Sequence, residues 1–377
     1  MRLPIVSLLI LSASTACSPK AEPAGDEVDR MVVEAMKAEK IPAASILVIK
    51  DGKILKQGVY GKARLDPPVA ADARTVFPVF SITKTFTAVG VLKLVDAGKL
   101  GLDDTVGKLL PDRPAVWHGI TVRQLLSHTS GLPDLLADSS DVMYVSEDRE
   151  AALKIAAARP LAKPGESYAY IQTGYVLLGE IIERKTGKPF ERYMAEDVFR
   201  PLGMTATTYG NRRSEVPGRA LQYQTAKFEQ VNGAWRTKKL DAPMLADLGD
   251  NPAYNNAGAT LNTNADDLVK WEDALSSGKL LKPETLTAMW ATSPASIRVS
   301  GYRTNGMGLG WVMMDDSGHK TAYHNGGSSA LYLRFLDDHL TIVVMTNCHG
   351  AYSGALSTRI VNHFAPNIAR YSPFTGR

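Results

Sequence analysis

Ser81-Ile82-Thr83-Lys84 places a hydroxyl and an amine three residues apart, just after the strand-like run Val76 to Phe80 and at the start of a long apolar-periodic segment. On a helix this spacing brings both groups to one face, one turn apart. Burying the amine disfavours its charged form and lowers its pKa. A neutral Lys84 can then take the Ser81 proton as the hydroxyl attacks an acyl carbon. Ser-x-x-Lys also arises by chance, and serine is a favoured helix N-cap. The pair therefore draws its meaning from the rest of the chain.

The elements that must position the pair are legible in the periodicity. From Asp26 to Lys40, Val28, Met31, Val32, Ala35 and Met36 recur at three and four, an amphipathic helix. Ala43 to Lys50 and Lys53 to Tyr60 read as strands joined by Asp51-Gly52, which favours a type I′ hairpin. Helical segments follow at Ser81 to Ala97, Val122 to Ser127, Glu147 to Ala158, Tyr175 to Lys185, Phe190 to Val198 and Ala265 to Leu275, punctuated by Gly98, Pro160, Gly187 and Pro201. Strands return at Gly308 to Met314, Ala322 to His324, Ala330 to Leu336 and Leu340 to Thr346, and a helix from Ser353 to Phe364 closes the pattern. The turns between consecutive strands are too short for parallel crossovers. The expected fold is α+β: an antiparallel sheet built from both ends of the chain (26–80 and 300–366), terminal helices on one face, and a mostly helical region (81–299) inserted between. Asn211 to Pro252 is polar and aromatic-dotted; it reads as a pocket wall or a small hairpin, Ala220 to Phe228 against Val231 to Thr237 across Asn232-Gly233.

The first 25 residues carry a different message. Arg2, an apolar stretch from Leu3 to Leu11 and the small residues before Cys17 form an export signal (1–16) too short to span a bilayer. Ala16-Cys17 resembles the lipobox of bacterial lipoproteins, although Ser14 stands where leucine is usual. Cys17 is then the lipidated first residue of the mature chain, residues 17–25 are a tether, and Ser18 resembles the sorting signal for the outer membrane. The expected location is periplasm-facing, as a lipoprotein, or soluble in the periplasm if Cys17 is not lipidated.

What remains is about 360 residues, enough for a large core. The net charge of +4 on 377 residues, with Lys and Arg scattered, gives no nucleic-acid signature. Apart from Cys17 the only cysteine is Cys348, at the end of an apolar run, which reads as a core thiol. His118, His319, His339, His349 and His363 make no metal-ligand spacing, so neither metal nor cofactor is expected.

Several motifs together resemble the serine beta-lactamase and penicillin-recognising proteins, in particular the branch of beta-lactamase-related serine hydrolases that holds AmpC-type lactamases, D,D-peptidases and esterases. Ser81-Ile82-Thr83-Lys84 matches the nucleophile motif, with Phe77, Phe80, Thr85 and Phe86 around it. Leu125-Leu126-Ser127-His128-Thr129-Ser130-Gly131-Leu132-Pro133 is the most specific stretch, and Pro164-Gly165-Glu166, Tyr170 and Gly174 to Gly179 match the second motif and its helix. Ala257-Gly258-Ala259 echoes another recurring piece, and His324-Asn325-Gly326-Gly327 occupies the third motif. The resemblance implies the beta-lactamase / D,D-peptidase-like fold, with Ser81 as nucleophile, and Lys84 with Tyr170 as the proton-handling pair. The backbone N–H groups of Ser81 and Gly327 would form the oxyanion hole, with His324, Asn325 and Gly326 at the substrate. Two departures stand out: Gln172 replaces the Asn of Tyr-x-Asn, and His324 replaces the Lys of true lactamases. An imidazole there can donate a hydrogen bond without a permanent charge. Both departures point away from a proficient beta-lactamase, although Gln172 keeps an amide that can contact Lys84 or the substrate; the expected substrate is a small ester or a D-amino-acid-containing peptide or amide. The alternatives are a beta-lactamase, a D-alanyl-D-alanine carboxypeptidase working on peptidoglycan fragments, and an inactive scaffolding lipoprotein.

Overall fold

The computed structural model describes residues 26–137, 143–231, 234–246, 251–293, 306–316, 319–327, 329–349 and 353–366. The export signal, Cys17 and the tether lie outside these residues, as does the Asn232-Gly233 turn.

Helix α1 (Glu27–Glu39) starts at an Asp26 N-cap whose carboxylate accepts from the Asp29 N–H, while Asp29 returns the bond to the Asp26 N–H. Strands β1 (Ala43–Lys50) and β2 (Lys53–Arg64) form the expected hairpin. Asp51 and Gly52 both have positive φ (49° and 73°), as a type I′ turn requires. The chain rejoins this hairpin much later. Strands β5 (Val312–Asp316), β6 (His319–Gly326), β7 (Ala330–Phe335) and β8 (Leu340–Thr346) run antiparallel, and β8 pairs with β1. With Val69–Ala70 and Gly306–Met307 at its edges, the sheet has 8 strands.

Both faces of this sheet are covered. Ile46 and Val48 of β1 and Ile342 and Val344 of β8 meet Val32 and Met36 of α1 and Leu356 and Ile360 of the last helix (Ser353–Phe364). Their neighbours Leu47, Ile49, Val343 and Met345 point the opposite way, into the core of the helical region. The alternation of side chains along a strand explains why the sheet strands are apolar almost throughout. Helix α2 (Thr83–Asp96) runs through that second core, and Phe86 lies 4.2 Å (ring centroids) from Trp271 of the helix Ala265–Ser276. The fold is α+β, an antiparallel sheet flanked by helical regions, as the periodicity predicts.

The differences are local. The run Val76 to Phe80 is only partly strand: Phe77–Pro78 pairs with the short strand Leu261–Thr263, and Val76 makes a single parallel bridge to Arg219. The segment Phe190 to Val198 is one α-turn (Phe190–Tyr193) followed by a π-helix (Met194–Phe199), a widening that a 3.6-residue period does not encode. The hairpin in the polar stretch is longer than expected: β3 (Tyr223–Val231) pairs with β4 (Ala234–Leu245), and its start runs parallel to Cys348–His349.

Candidate active site

Ser81 does not cap α2. The N-cap is Ile82, with no side-chain cap bond, and Ser81 sits in the middle of a 3₁₀ turn (Phe80–Ile82). Phe80, just before it, holds φ at +46°, a conformation bulky L residues rarely adopt. Strain of this kind costs about 1–3 kcal/mol and persists only where the surroundings enforce it. Here the enforcement is visible: the Val79 N–H donates to the Leu261 carbonyl at 3.0 Å, and the Leu261 N–H donates to Thr83 Oγ1 at 3.0 Å.

Lys84 is fully buried, and its amine has three oxygen neighbours: Gln172 Oε1 at 2.9 Å, the Gly258 carbonyl at 2.8 Å and Ser81 Oγ at 3.3 Å. The first two can only accept, so they take two N–H bonds in either protonation state. The third position faces Ser81. It holds a proton when the amine is charged and a lone pair when it is neutral. Desolvation pulls the Lys84 pKa down to about 7, opposed by the Asp134 carboxylate. At neutral pH a large share of the amine is therefore a free base aimed at the Ser81 hydroxyl.

Tyr170 approaches Ser81 as well. Burial raises its phenol above the ordinary tyrosine range, and a hydrogen bond with the Ser81 side chain acts against that rise. With 38% of its surface open, Tyr170 is not sealed off, which moderates the upward shift. The Lys84 amine lies 4.9 Å from the Tyr170 ring centroid. Since the phenol is shifted up and the amine down, Lys84 is the first of the pair to lose its proton and Tyr170 stays protonated near neutrality.

The stretch around His128 holds Tyr170 in place. The Ala169, Gly165 and Ala162 N–H groups donate to the His128, Thr129 and Gly131 carbonyls at 3.0, 2.7 and 2.9 Å. A Cβ on Gly131 would stand 2.2 Å from the Ala162 carbonyl oxygen. The His128 ring stacks 4.5 Å from that of Tyr170, and its Nδ1 accepts from the Ile171 N–H. The motif thus works mainly through backbone bonds to the loop that carries the phenol.

The third motif reaches the site through alternation. Gly326 packs so tightly that a Cβ would lie 2.0 Å from the Val79 carbonyl oxygen. Gly327, at φ +54°, is beside Phe80 and His349. The His324 ring is buried, 6.1 Å from the Tyr170 ring. Its Nδ1 lies 2.8 Å from the Asn325 carbonyl, which can only accept, so Nδ1 carries the proton and Nε2 the lone pair. Burial and Lys84 lower its pKa to about 3. Two expectations are corrected here. In this tautomer the free nitrogen of His324 accepts and cannot donate to substrate. Asn325 pairs with Leu331, which belongs to the core under the terminal helices, whereas His324 and Gly326 pair with Tyr332 and Ala330 on the Ser81 side. The Asn325 side chain therefore leaves the site.

Sequence reasoning missed Asp134. Its Oδ1 accepts from the Gln172 and Leu135 N–H groups, both at 2.8 Å, which fixes the residue that holds Lys84. The only signal was its place directly after Pro133. It also missed the Gly258 carbonyl, because a backbone acceptor has no side-chain signature.

Residues 28–363 match the Beta-lactamase family model. The chain belongs to the beta-lactamase family. Among its relatives is Protein flp of Staphylococcus aureus (strain MRSA252), 28% identical over 351 residues, a match that covers 89% of this chain and 66% of flp. The chain thus spans just under two thirds of that curated relative's length. The D-amino acid amidase from Ochrobactrum anthropi SV3, solved with L-phenylalanine, superposes with a TM-score of 0.73 at 24% identity, covering 91% of this chain and 100% of that one. EstCE1, a hydrolase with promiscuous acyltransferase activity, superposes with a TM-score of 0.69 at 23% identity, over 85% of this chain and 93% of that one. These two likenesses establish the beta-lactamase-like fold.

Proposed function

We propose that the protein is a serine hydrolase that forms an acyl-enzyme on Ser81 and acts on small neutral esters. The observation that carries this reading is the Lys84 amine, lowered to about 7, with two positions fixed by Gln172 and Gly258 and the third on Ser81. In the acylation step, Ser81 Oγ attacks the acyl carbon as its proton moves to Lys84. The carbonyl oxygen becomes an oxyanion beside the backbone N–H groups of Ser81 and Gly327, donors that need no reorganisation. Lys84 returns the proton through the Tyr170 hydroxyl to the departing alkoxide. Water then attacks the acyl-Ser81 ester by the reverse route and frees the acid.

A neutral substrate is favoured because position 324 presents an uncharged imidazole where lactamases carry a lysine. A substrate carboxylate gains nothing from a neutral ring. This argues against a carboxypeptidase or an efficient beta-lactamase. A D-amino-acid amide is the second reading, supported by the fold shared with the D-amino acid amidase.

The test is hydrolysis of p-nitrophenyl butanoate by a chain lacking residues 1–17, beside Ser81→Ala. Turnover by the wild type and loss in the variant support the reading; equal background rates reject it. We also propose lipid anchoring through Cys17, to be checked by membrane partitioning of the full chain against Cys17→Ser. Equal partitioning rules the anchor out.

A further inference from the structure

The Lys84 amine is aimed by two acceptors, Gln172 Oε1 and the Gly258 carbonyl, which stand on different segments of the chain. Gly258 lies in the one-turn helix Asn256–Ala259. A single turn has little stability of its own, so the side chains around it decide where that carbonyl sits. On one side Thr87 of α2 donates to the Ala257 carbonyl at 2.8 Å. Asn255 stands on the other.

Asn255 is the N-cap of this turn, a position where asparagine ordinarily accepts from the helix's own N–H groups. Here its side chain makes no such bond. It is fully buried, and its Nδ2 donates to the Tyr144 hydroxyl at 2.6 Å. That hydroxyl donates in turn to Asn251 Oδ1, also at 2.6 Å. Burial pushes the Tyr144 phenol above the ordinary tyrosine range, so it keeps its proton and remains a donor. The Asn255 amide is thereby held against Gly258, where a Cβ would stand 2.3 Å from Asn255 Oδ1 and 3.2 Å from Gln172 Oε1.

The same stretch supports the other acceptor. Tyr144 forms a bridge with Leu136, and the Val145 N–H donates to the Leu135 carbonyl at 3.0 Å. Leu135 directly follows Asp134, whose carboxylate holds the Gln172 N–H. A neighbouring bond, from the Tyr254 hydroxyl to the Ser146 carbonyl at 2.7 Å, fastens this stretch without using the Asn255 side chain. We propose that Tyr144 is a positioning residue for the base: through Asn255 it fixes the Gly258 carbonyl, and with it the direction in which the Lys84 amine faces Ser81. The proposal rests on the reading of Lys84 as base and deepens it.

The test follows Lys84 itself, by NMR titration of protein labelled at lysine Cε, the Lys84 signal being assigned by its loss in Lys84→Met. Tyr144→Phe keeps the ring and removes the tie. With the Gly258 carbonyl released, the charged amine loses an acceptor, and its titration midpoint should fall by about half a pH unit or more. The ionisable groups around the amine, Asp134, His128, Tyr170, Tyr175 and His324, are all retained. Ester hydrolysis should lose roughly three- to tenfold in kcat, with KM moving less than about twofold. Asn255→Ala cuts the tie from its other end and should move the midpoint the same way. Tyr254→Phe loosens the same stretch and should leave the midpoint in place. An unmoved midpoint in Tyr144→Phe, or in Asn255→Ala where Tyr144→Phe fails to fold, overturns the proposal. So does an equal shift in Tyr254→Phe, which would give the stretch a general structural role only. A midpoint that shifts as expected in a protein without ester turnover supports the tie and rejects the hydrolase reading alone.

Discussion

The Lys84 amine donates to the side-chain oxygen of Gln172 at 2.9 Å, across 88 residues of chain. The extra methylene of glutamine, compared with the asparagine of related motifs, still reaches the amine. It does so because Asp134 holds the Gln172 backbone N–H at 2.8 Å and sets where the side chain begins. Replacing Gln172 by Ala removes an acceptor that steadies the charged amine and fixes its aim. The expected outcome is a loss of about 10- to 100-fold in kcat, with the acid limb of the pH–rate profile moved to lower pH. A profile and kcat like those of the wild type would show that Gln172 does not position Lys84.

Activity should rise with pH through about 7, as Lys84 loses its proton, and then level off. The raised Tyr170 phenol predicts no fall from its ionisation in the mildly alkaline range. A pH profile of kcat/KM checks both limbs; an activity maximum below pH 6 contradicts the assignment of Lys84 as base.

The same shift has a stability consequence with a definite sign. Burial holds the Lys84 pKa at about 7 in the folded protein, against 10.5 for a free lysine amine. Between those values the unfolded chain binds the extra proton, so stability rises with pH across that window; below about 7 both states are charged and the burial cost is fully expressed. Lys84→Met should therefore be inactive, and its stability relative to wild type should be greatest below pH 7 and decline toward pH 10. Denaturant melts at pH 6, 8 and 10 measure this; a difference independent of pH contradicts it.

Asp134→Asn keeps an oxygen for the Gln172 and Leu135 N–H groups while removing the charge that raises the Lys84 pKa. The expected result is a folded enzyme whose acid limb moves to lower pH by less than about one unit. Movement to higher pH would exclude a through-space effect of Asp134 on Lys84.

Gly326→Ala places a Cβ 2.0 Å from the Val79 carbonyl oxygen, a backbone atom that cannot swing aside. The strand edge must back away from the Ser81 turn, at a cost of about 2 kcal/mol or more. Thermal melts and ester hydrolysis should both drop, and a variant with wild-type values for both would show that the edge is not held this closely.

The elements were largely legible in the sequence because they follow from local rules. The Asp26 capping box, the Asp51-Gly52 turn, the apolar strands at both ends of the chain and the final helix each depend on residues within a few positions. The motifs that carry Ser81, Lys84, Tyr170 and Gly326 were legible for a related reason: a hydroxyl, an amine, a phenol and a close backbone approach leave marks in residue type. Tertiary structure decided the rest. The π-helix at Met194–Phe199 and the brevity of the Phe77–Pro78 strand answer to packing, which periodicity does not record. The turning of Asn325 away from the site depends on strand register, which the pairing of β6 with β7 fixes. The Lys84 pKa depends on burial and on three oxygens brought from Ser81, Gln172 and Gly258. Residue type and spacing can nominate a serine and a lysine, but desolvation is a property of everything folded around them.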